Sequence, residues 1–524
     1  MLASALLAFA LVAPGRGQAP DTYPVLLQDI SAGAVDRGVS PDDAPPPSNG
    51  PRARAERLDG SAAYADRASS SGATYVPGRV IVKFRDGLST TARLSALSSV
   101  SPTAGLTTQK PYANFDVISI DPNEDAEAVA RGFANRPDVE YAQAAYRVHP
   151  YFVPNDPQYR MQWNLPNIDM ERAWDIQPGS SSSIIVAVID TGVAYQNAIM
   201  RYNARGFRAI FSNGTILTYP ALGPIDVPFA VAPDLQGTNR FVAPRDFIWE
   251  NNLPFDLVGH GTHVSGTIGQ NTNNGIGTAG IAYNVRIMPI KVIDDQNGWD
   301  FIFGPTPNFG TDDTVARGIR YAVDNGAKVL NMSIGRTGPP APAVEDAIRY
   351  AVGRGAFVAI AAGNGFEDGN ETEVIAEIAS RVQGAVSVAA LDQQHNRAFY
   401  STTGPWVELS APGGSSRVGG AGGTIYQQTY DLSFVETYDL PPAQYRAPRF
   451  DVMQIVPFQG TSMATPHVSG VAALLMQQGI TDPAAIEAAL ERFASDRGAA
   501  GKDNETGYGE ISARNTLRGL GLSK

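Results

Sequence analysis

The sequence predicts an α/β protein with a mainly parallel central sheet, preceded by a small α+β unit. Five apolar, strand-like runs carry the first part: "SIIVAVID" (183–190), "VRIMPIKVI" (285–293), "AKVLNMSIG" (327–335), "AFVAIAAGN" (356–364) and "AVSVAAL" (385–391). Strands covered on both faces of a parallel sheet read as continuous apolar runs, and helical patterns lie between these, as crossover connections require. Upstream, "RVIVKF" (79–84) and "FDVISI" (115–120) alternate with period two, and "VEYAQAAYRV" (139–148) resembles a third strand. "TTARLSAL" and "AEAVARGFAN" between them have helical spacing.

In chain order, the first piece is residues 1–19, where "MLASALLAFALVAP" resembles the apolar centre of a secretory signal. It is short for a bilayer span, has no basic flank and ends in a poor cleavage sequence, "GQAP". Residues 20–74 are rich in Pro, Ala, Ser, Asp and Arg with no surviving period, and are expected to be flexible. The α+β unit occupies 75–150 and closes on "HPYFVPNDPQY", expected as an exposed tail. The parallel-sheet domain takes 151–524.

Composition limits the functions open to this chain. Its 524 residues are 43% hydrophobic and 18% charged, with 53 Gly and 38 Pro, which suits a loop-rich globular protein with a large core. A net charge of −12 offers no basic footprint, so nucleic acid is not an expected partner. Cysteine is absent, which removes thiolate nucleophiles, disulfides and Cys-based metal sites. No later stretch is apolar enough for a membrane span.

The chemistry-bearing residues cluster in three short blocks. There are five histidines: His149, His260, His263, His395 and His467. "GHGTHVSGTIG" surrounds His260 with small residues that let a substrate and other side chains approach its ring. "VAVIDTGV" puts Asp190 at the C-terminal end of an apolar strand, the edge of an open α/β sheet where active sites gather. A carboxylate there can accept the ring N–H of a histidine, fixing its tautomer. "FQGTSMATPHVSGVAALL" (458–475) opens a helix at Ser462. Each block alone has an ordinary structural reading. "DTG" makes an Asx-type turn, "GTS" is a helix cap, and His467 reads as a packed helical histidine. "HGTH" as a helical metal pair lacks the acidic residue of a zinc signature.

Together, in the order Asp190, His260, Ser462, the blocks resemble those of the subtilisin-like serine proteases, the subtilases or S8 family. The resemblance runs from about Trp163 to "GYGEISA" (507–513), and the unit before it resembles the family's I9-like inhibitory prosegment. It implies a subtilisin-like three-layer fold and a secreted or periplasmic serine endopeptidase, monomeric, that acts on protein or peptide substrates. The enzyme would be made as a precursor, processed by itself and inhibited by its own prosegment. In that reading Ser462 attacks the scissile carbonyl, His260 relays the proton and Asp190 holds the imidazole. Asn364 and the Ser462 amide receive the oxyanion. The peptide pairs as a strand between Ser333, Ile334 and Gly335 on one side and Ala361, Ala362 and Gly363 on the other. The floor of its first pocket lies somewhere in "FEDGNETEVIAEIASRVQG".

The resemblance also implies a structural calcium ion. "QNTNNGIGTAGIA" (270–282) looks like the family's calcium loop, which maps Asn274 and the carbonyls of Thr272, Ile276 and Thr278 to ligands. Asp234 and Asp156 would add carboxylates, an all-oxygen set suited to calcium. Two segments depart from the compact pattern, 195–231 and 415–457, and are expected to be surface loops bordering the cleft. Two rival functions are weighed. A catalytically silent binding protein would not need every chemical group that is present. An α/β-hydrolase esterase requires Gly two residues after the serine, where this chain has Ala464, and a different triad order.

Overall fold

The computed structural model describes residues 67–68, 74–107, 112–146, 152–210, 215–294, 298–304 and 310–519. These fall into two compact units divided between Val148 and His149. The expected signal, 1–19, and all but the end of the expected flexible stretch 20–74 lie outside the described residues.

In the first unit, Thr74–Phe84 pairs antiparallel with Asp116–Ser119 and with Val139–Tyr146, and Gly105–Leu106 adds to Asp116–Ser119. Its inward residues Val80, Val82 and Phe84 are buried and alternate with more exposed neighbours, the period-two pattern of a one-sided sheet. Helix Ala126–Ala134 covers that face with Ala126, Val129, Ala130 and Phe133, one helical stripe. Asp125 caps it by accepting from the Glu127 amide. The sheet extends past the boundary expected at 75, because Arg67–Ala68 pairs with Thr74 and Tyr75.

The second unit holds a seven-stranded parallel sheet. Its order is Arg245–Asp246, Arg286–Lys291, Ile185–Asp190, Val329–Met332, Phe357–Ala361, Ala385–Leu391, Leu409–Pro412. The first and last of these were not legible as strands. Burial alternates between two cores. Val186, Val188, Ile287, Phe357 and Val388 face the helices that start at His260 and Thr461, while Ile185, Ile189, Met288, Leu330 and Ile360 face the opposite helices, Asp312–Asp324 and Pro342–Gly353. That makes three layers. The chain starts in the middle of the sheet at Ile185–Asp190, builds one side, then crosses to Val329–Met332 and builds the other. Asp190 therefore stands at a topological switch point, where crevices open at the strands' C-terminal ends.

Two expectations are corrected by packing. Residues 152–159, expected as an exposed tail, belong to the second unit: Pro154, Asp156 and Tyr159 are buried, and the Gln158 amide donates to the Gly277 carbonyl. The departures 195–231 and 415–457 are not simple surface loops. The first forms paired strands Ala198–Ala204 with Gly223–Phe229, and Phe207–Ile210 with Ile216–Tyr219. The second forms the hairpin Ile425–Tyr430 with Met453–Phe458. They join through Phe229 stacked on Phe450 at 4.8 Å and through backbone bonds between Pro228, Ala230 and Phe450. Stacked aromatic rings bury large apolar areas at little conformational cost, which is why these segments order each other.

Candidate active site

Asp190 ends its strand fully buried, and its Oδ1 accepts from His260 Nδ1 at 2.7 Å and from the Thr191 amide at 2.8 Å. His260 starts the helix His260–Gly269. The close approach requires Gly261: a Cβ there would lie 2.1 Å from the Gly192 carbonyl and 3.1 Å from Asp190 Oδ1. Burial pushes the His260 ring down, but the charge and hydrogen bond of Asp190 outweigh it, leaving the ring above its ordinary value. With Nδ1–H committed to Asp190, Nε2 is the ring nitrogen that can act as a base.

The helix of His260 is itself held by a residue that the sequence reading passed over. Asp256 Oδ1 accepts from the Val258 and Gly259 amides and from Thr191 Oγ1, while its Oδ2 accepts from the Thr262 amide and hydroxyl. It caps the helix and ties it to the turn after Asp190. Its sequence signal is an Asp shortly before an expected helix start.

Ser462 is the second residue of helix Thr461–Gln477, near its positive end. Its Oγ donates to the Ser333 carbonyl at 3.2 Å, and Ser333 Oγ donates back to the Ser462 carbonyl at 2.8 Å. The second bond has a sequence cause. Pro466, four residues on, has no N–H to give the Ser462 carbonyl, so a helical acceptor is open for Ser333 to fill. Asn331 and Ser469 extend the tie: Asn331 Nδ2 donates to Ser333 Oγ and Ser469 Oγ donates to Asn331 Oδ1.

Asn364 is exposed beside this helix, and its Oδ1 accepts from the Thr461 amide at 2.9 Å and the Thr461 hydroxyl at 3.0 Å. Its carbonyl end is fixed, so the amide nitrogen is the end that turns elsewhere. A Cβ on Gly460 would lie 3.5 Å from Asn364 Nδ2 and 3.6 Å from the Ser462 amide nitrogen. Asn364 Nδ2 and the Ser462 amide nitrogen thus both lie beside Gly460, whose φ of 154° is one that side-chain-bearing residues rarely adopt.

Val329–Met332 and Phe357–Ala361 are in-register neighbours, so Ser333–Gly335 and Ala361–Gly363 leave the sheet side by side. Ser333, Ile334, Ala361 and Ala362 are buried, and Gly335 is exposed. The other two histidines of the blocks are packed and neutral. His467 Nδ1 donates to the Met463 carbonyl while Nε2 accepts from Asn164, and His263 Nε2 donates to the Ile425 and Val456 carbonyls.

The expected calcium residues are brought together at one place on the far side of the His260 helix. Asp156 is buried and accepts from the amides of Asn273 and Asn274; Asp234 is buried and accepts from Gln270 Nε2 and Asn274 Nδ2. Thr272 and Thr278 spend their hydroxyls on Gln270, Gly280 and Gln427. Burial, with the Asp156 charge adding to it, pushes the Asp234 carboxyl up to about 7. Among the described residues, no helix is long and apolar enough to cross a membrane.

Comparison with known proteins identifies two stretches of the chain. Residues 181–509 match the subtilase family, peptidase S8, and residues 61–144 match the fervidolysin N-terminal prodomain. The thermophilic serine proteinase of Bacillus sp. (strain AK1) is 32% identical over 444 residues, 84% of this chain and 88% of that protein. Thermitase of Thermoactinomyces vulgaris is 32% identical over 344 residues, 66% of this chain and 92% of its own. The crystal structure of fervidolysin from Fervidobacterium pennivorans superposes with a TM-score of 0.50 at 24% identity, over 85% of this chain and 61% of that one, a likeness of fold.

Proposed function

The chain belongs to the subtilase family of serine endopeptidases and carries that family's prodomain, and from this premise we propose a secreted, self-processed enzyme in which Asp190, His260 and Ser462 perform acyl transfer. The observation that carries it is the 2.7 Å Asp190–His260 contact at the sheet's switch point, in the same domain as a helix-start serine flanked by paired N–H donors. His260 Nε2 takes the proton as Ser462 Oγ leaves the Ser333 carbonyl and attacks the scissile carbon. Asp190 stabilises the imidazolium that results. Asn364 Nδ2 and the Ser462 amide meet the oxyanion, charge that exists only in the transition state. His260 then gives its proton to the leaving amine, and water repeats the sequence on the acyl-enzyme. The peptide lies between Ser333–Gly335 and Ala361–Gly363, held by backbone pairing.

Export is supported by the apolar run in residues 1–19. Self-processing is supported by the prodomain and by the anchoring of the second unit from Phe152 onward, which narrows the expected cut from 146–156 to the residues before 152. Calcium fits the chemistry at Asp156 and Asp234. The expected donors are all oxygen, and two buried carboxylates near one another, each without a cationic side chain hydrogen-bonded to it among the described residues, are groups a divalent cation would neutralise. Asn274 and the carbonyls of Thr272, Ile276 and Thr278 complete the set; the ion would brace the loop and take no part in the chemistry.

The test of the nucleophile is labelling by a fluorophosphonate. The matured protein should be modified once, at Ser462, with loss of peptidase activity, and Ser462→Ala should not be modified. Labelling that persists in Ser462→Ala, or none in the wild type, overturns the assignment.

A further inference from the structure

Both segments assigned to the substrate have a glycine where they face one side chain, Glu373. A Cβ on Gly363 would lie 2.2 Å from Glu373 Cγ and 2.8 Å from its Oε1; a Cβ on Gly335 would lie 2.7 Å from its Oε2. The carboxylate therefore occupies the space between the two segments, where any residue but glycine at either position would displace it. It is carried there by backbone pairing, since the Val374 amide donates to the Arg336 carbonyl immediately after Gly335.

This carboxylate lacks what a buried charge needs. Oε2 is buried and has no hydrogen-bond partner among the described residues. The nearest cation acting on it, Arg336, is committed elsewhere: its guanidinium binds both oxygens of Asp312, at 2.8 and 2.6 Å, and the Pro339 carbonyl at 2.8 Å. Burial pushes the Glu373 carboxyl up to about 7, with the Glu371 charge acting in the same direction and Arg336 against it. A purely structural glutamate would be paired with the guanidinium beside it.

We propose that Glu373 forms the base of the pocket for the side chain preceding the scissile bond and selects lysine or arginine there. The inference rests on the endopeptidase reading above and names its substrate class. The cationic head of a long basic side chain laid along the two segments supplies the partner that Oε2 lacks. A neutral side chain leaves that oxygen buried and unpaired, which is how a polar site rejects the wrong substrate.

The experiment compares tetrapeptide amide substrates that differ only in the last residue, Lys, Arg, Ala, Phe or Glu, on the matured wild type and on Glu373→Gln. The wild type should prefer Lys or Arg over Ala by at least about 100-fold in kcat/KM; a site that leaves a buried polar group unpaired with the wrong substrate can reach about 10,000-fold. Glu373→Gln should lose most of that factor, read as the ratio of kcat/KM on the Lys or Arg substrate to that on the Ala substrate. Fluorophosphonate labelling of Ser462 in the variant reports that its fold and nucleophile are intact. If the variant does not fold, mapping of wild-type cleavage sites in an unfolded protein decides alone. Cuts after Lys and Arg support the proposal, and cuts after small or aromatic residues overturn it, as does equal loss on all substrates in a labelled Glu373→Gln. Failure of the wild type to react with fluorophosphonate is a different result, and it overturns the endopeptidase reading itself.

Discussion

At the scale of single residues, the site separates groups that hold geometry from groups that meet charge. Asn364 does both, with its oxygen fixed on Thr461 and its nitrogen turned toward the space beside Gly460. On the proposed mechanism, Asn364→Leu removes a donor aimed at charge present only in the transition state. It should lower kcat by about 100- to 1,000-fold with KM little changed. A change confined to KM would put Asn364 against the ground-state peptide instead. His263 and His467 make a stability prediction. Burial pushes them down to about 3 and about 4. In the unfolded chain both bind protons below about 6.5, so their contribution is complete above that pH and is lost as pH falls toward 4, by about 1.4 kcal/mol per pH unit each. Glu408 and Glu487, raised by burial to about 8 and about 7, act in the opposite direction, stabilising as pH falls through that range. The measurement is therefore a difference. Urea unfolding of Ser462→Ala should steepen with acid relative to Ser462→Ala/His467→Gln, and parallel pH curves would mean that His467 titrates normally.

At the scale of elements, each catalytic block begins or ends a strand or helix for a reason visible in its neighbours. The Ser462 helix is tied to the Ser333 strand because Pro466 releases a carbonyl, and the His260 helix is tied to the Asp190 turn because Asp256 caps one and bonds to the other. The loop 270–282 is a weaker element, built on Asn-rich turns around two buried acids. A ligand that binds only the folded state stabilises it by about 2.7 kcal/mol at a hundredfold excess over Kd. Chelation should lower the Tm of Ser462→Ala, which cannot digest itself. Calcium, but not equal magnesium, should restore it, and Asp234→Ala should remove most of the response. A Tm indifferent to chelator in Ser462→Ala means that no such ion is held.

At the scale of the molecule, the chain joins a prodomain to a peptidase domain, and the proposed self-processing makes a prediction. Ser462→Ala should accumulate as the full precursor, and wild-type enzyme added in trans should cut it. Maturation of Ser462→Ala alone at the wild-type rate would place the processing activity elsewhere. The basic-pocket proposal sharpens the cut. Between Tyr146 and Asp156 the only Lys or Arg is Arg147, so the mature chain should begin at Val148. N-terminal sequencing of the matured wild type reads this directly, and a start after another residue would count against the Glu373 pocket.

The sequence by itself determined the sheet's inner strands, because continuous apolar runs admit few other environments, and the family, because three blocks keep their letters and their order. It also named Asp156, Asp234 and the loop 270–282 as one expected ion site, three stretches apart in the chain that hydrogen bonds to Asn273 and Asn274 link in the fold. It missed the edge strands Arg245–Asp246 and Leu409–Pro412, too short or too polar at their flanks to carry a period. Only the tertiary structure decided that 195–231 and 415–457 order each other through Phe229 and Phe450, since each segment pairs its own strands but the ring that Phe229 stacks on lies in the other segment. The same holds for the pocket. "GNETEVIAEIAS" carries three glutamates of equal standing as sequence, and Glu373 differs from the others only because two distant glycines leave room for it. Local patterns specify burial and period; a site between segments is specified by what each leaves empty for the other.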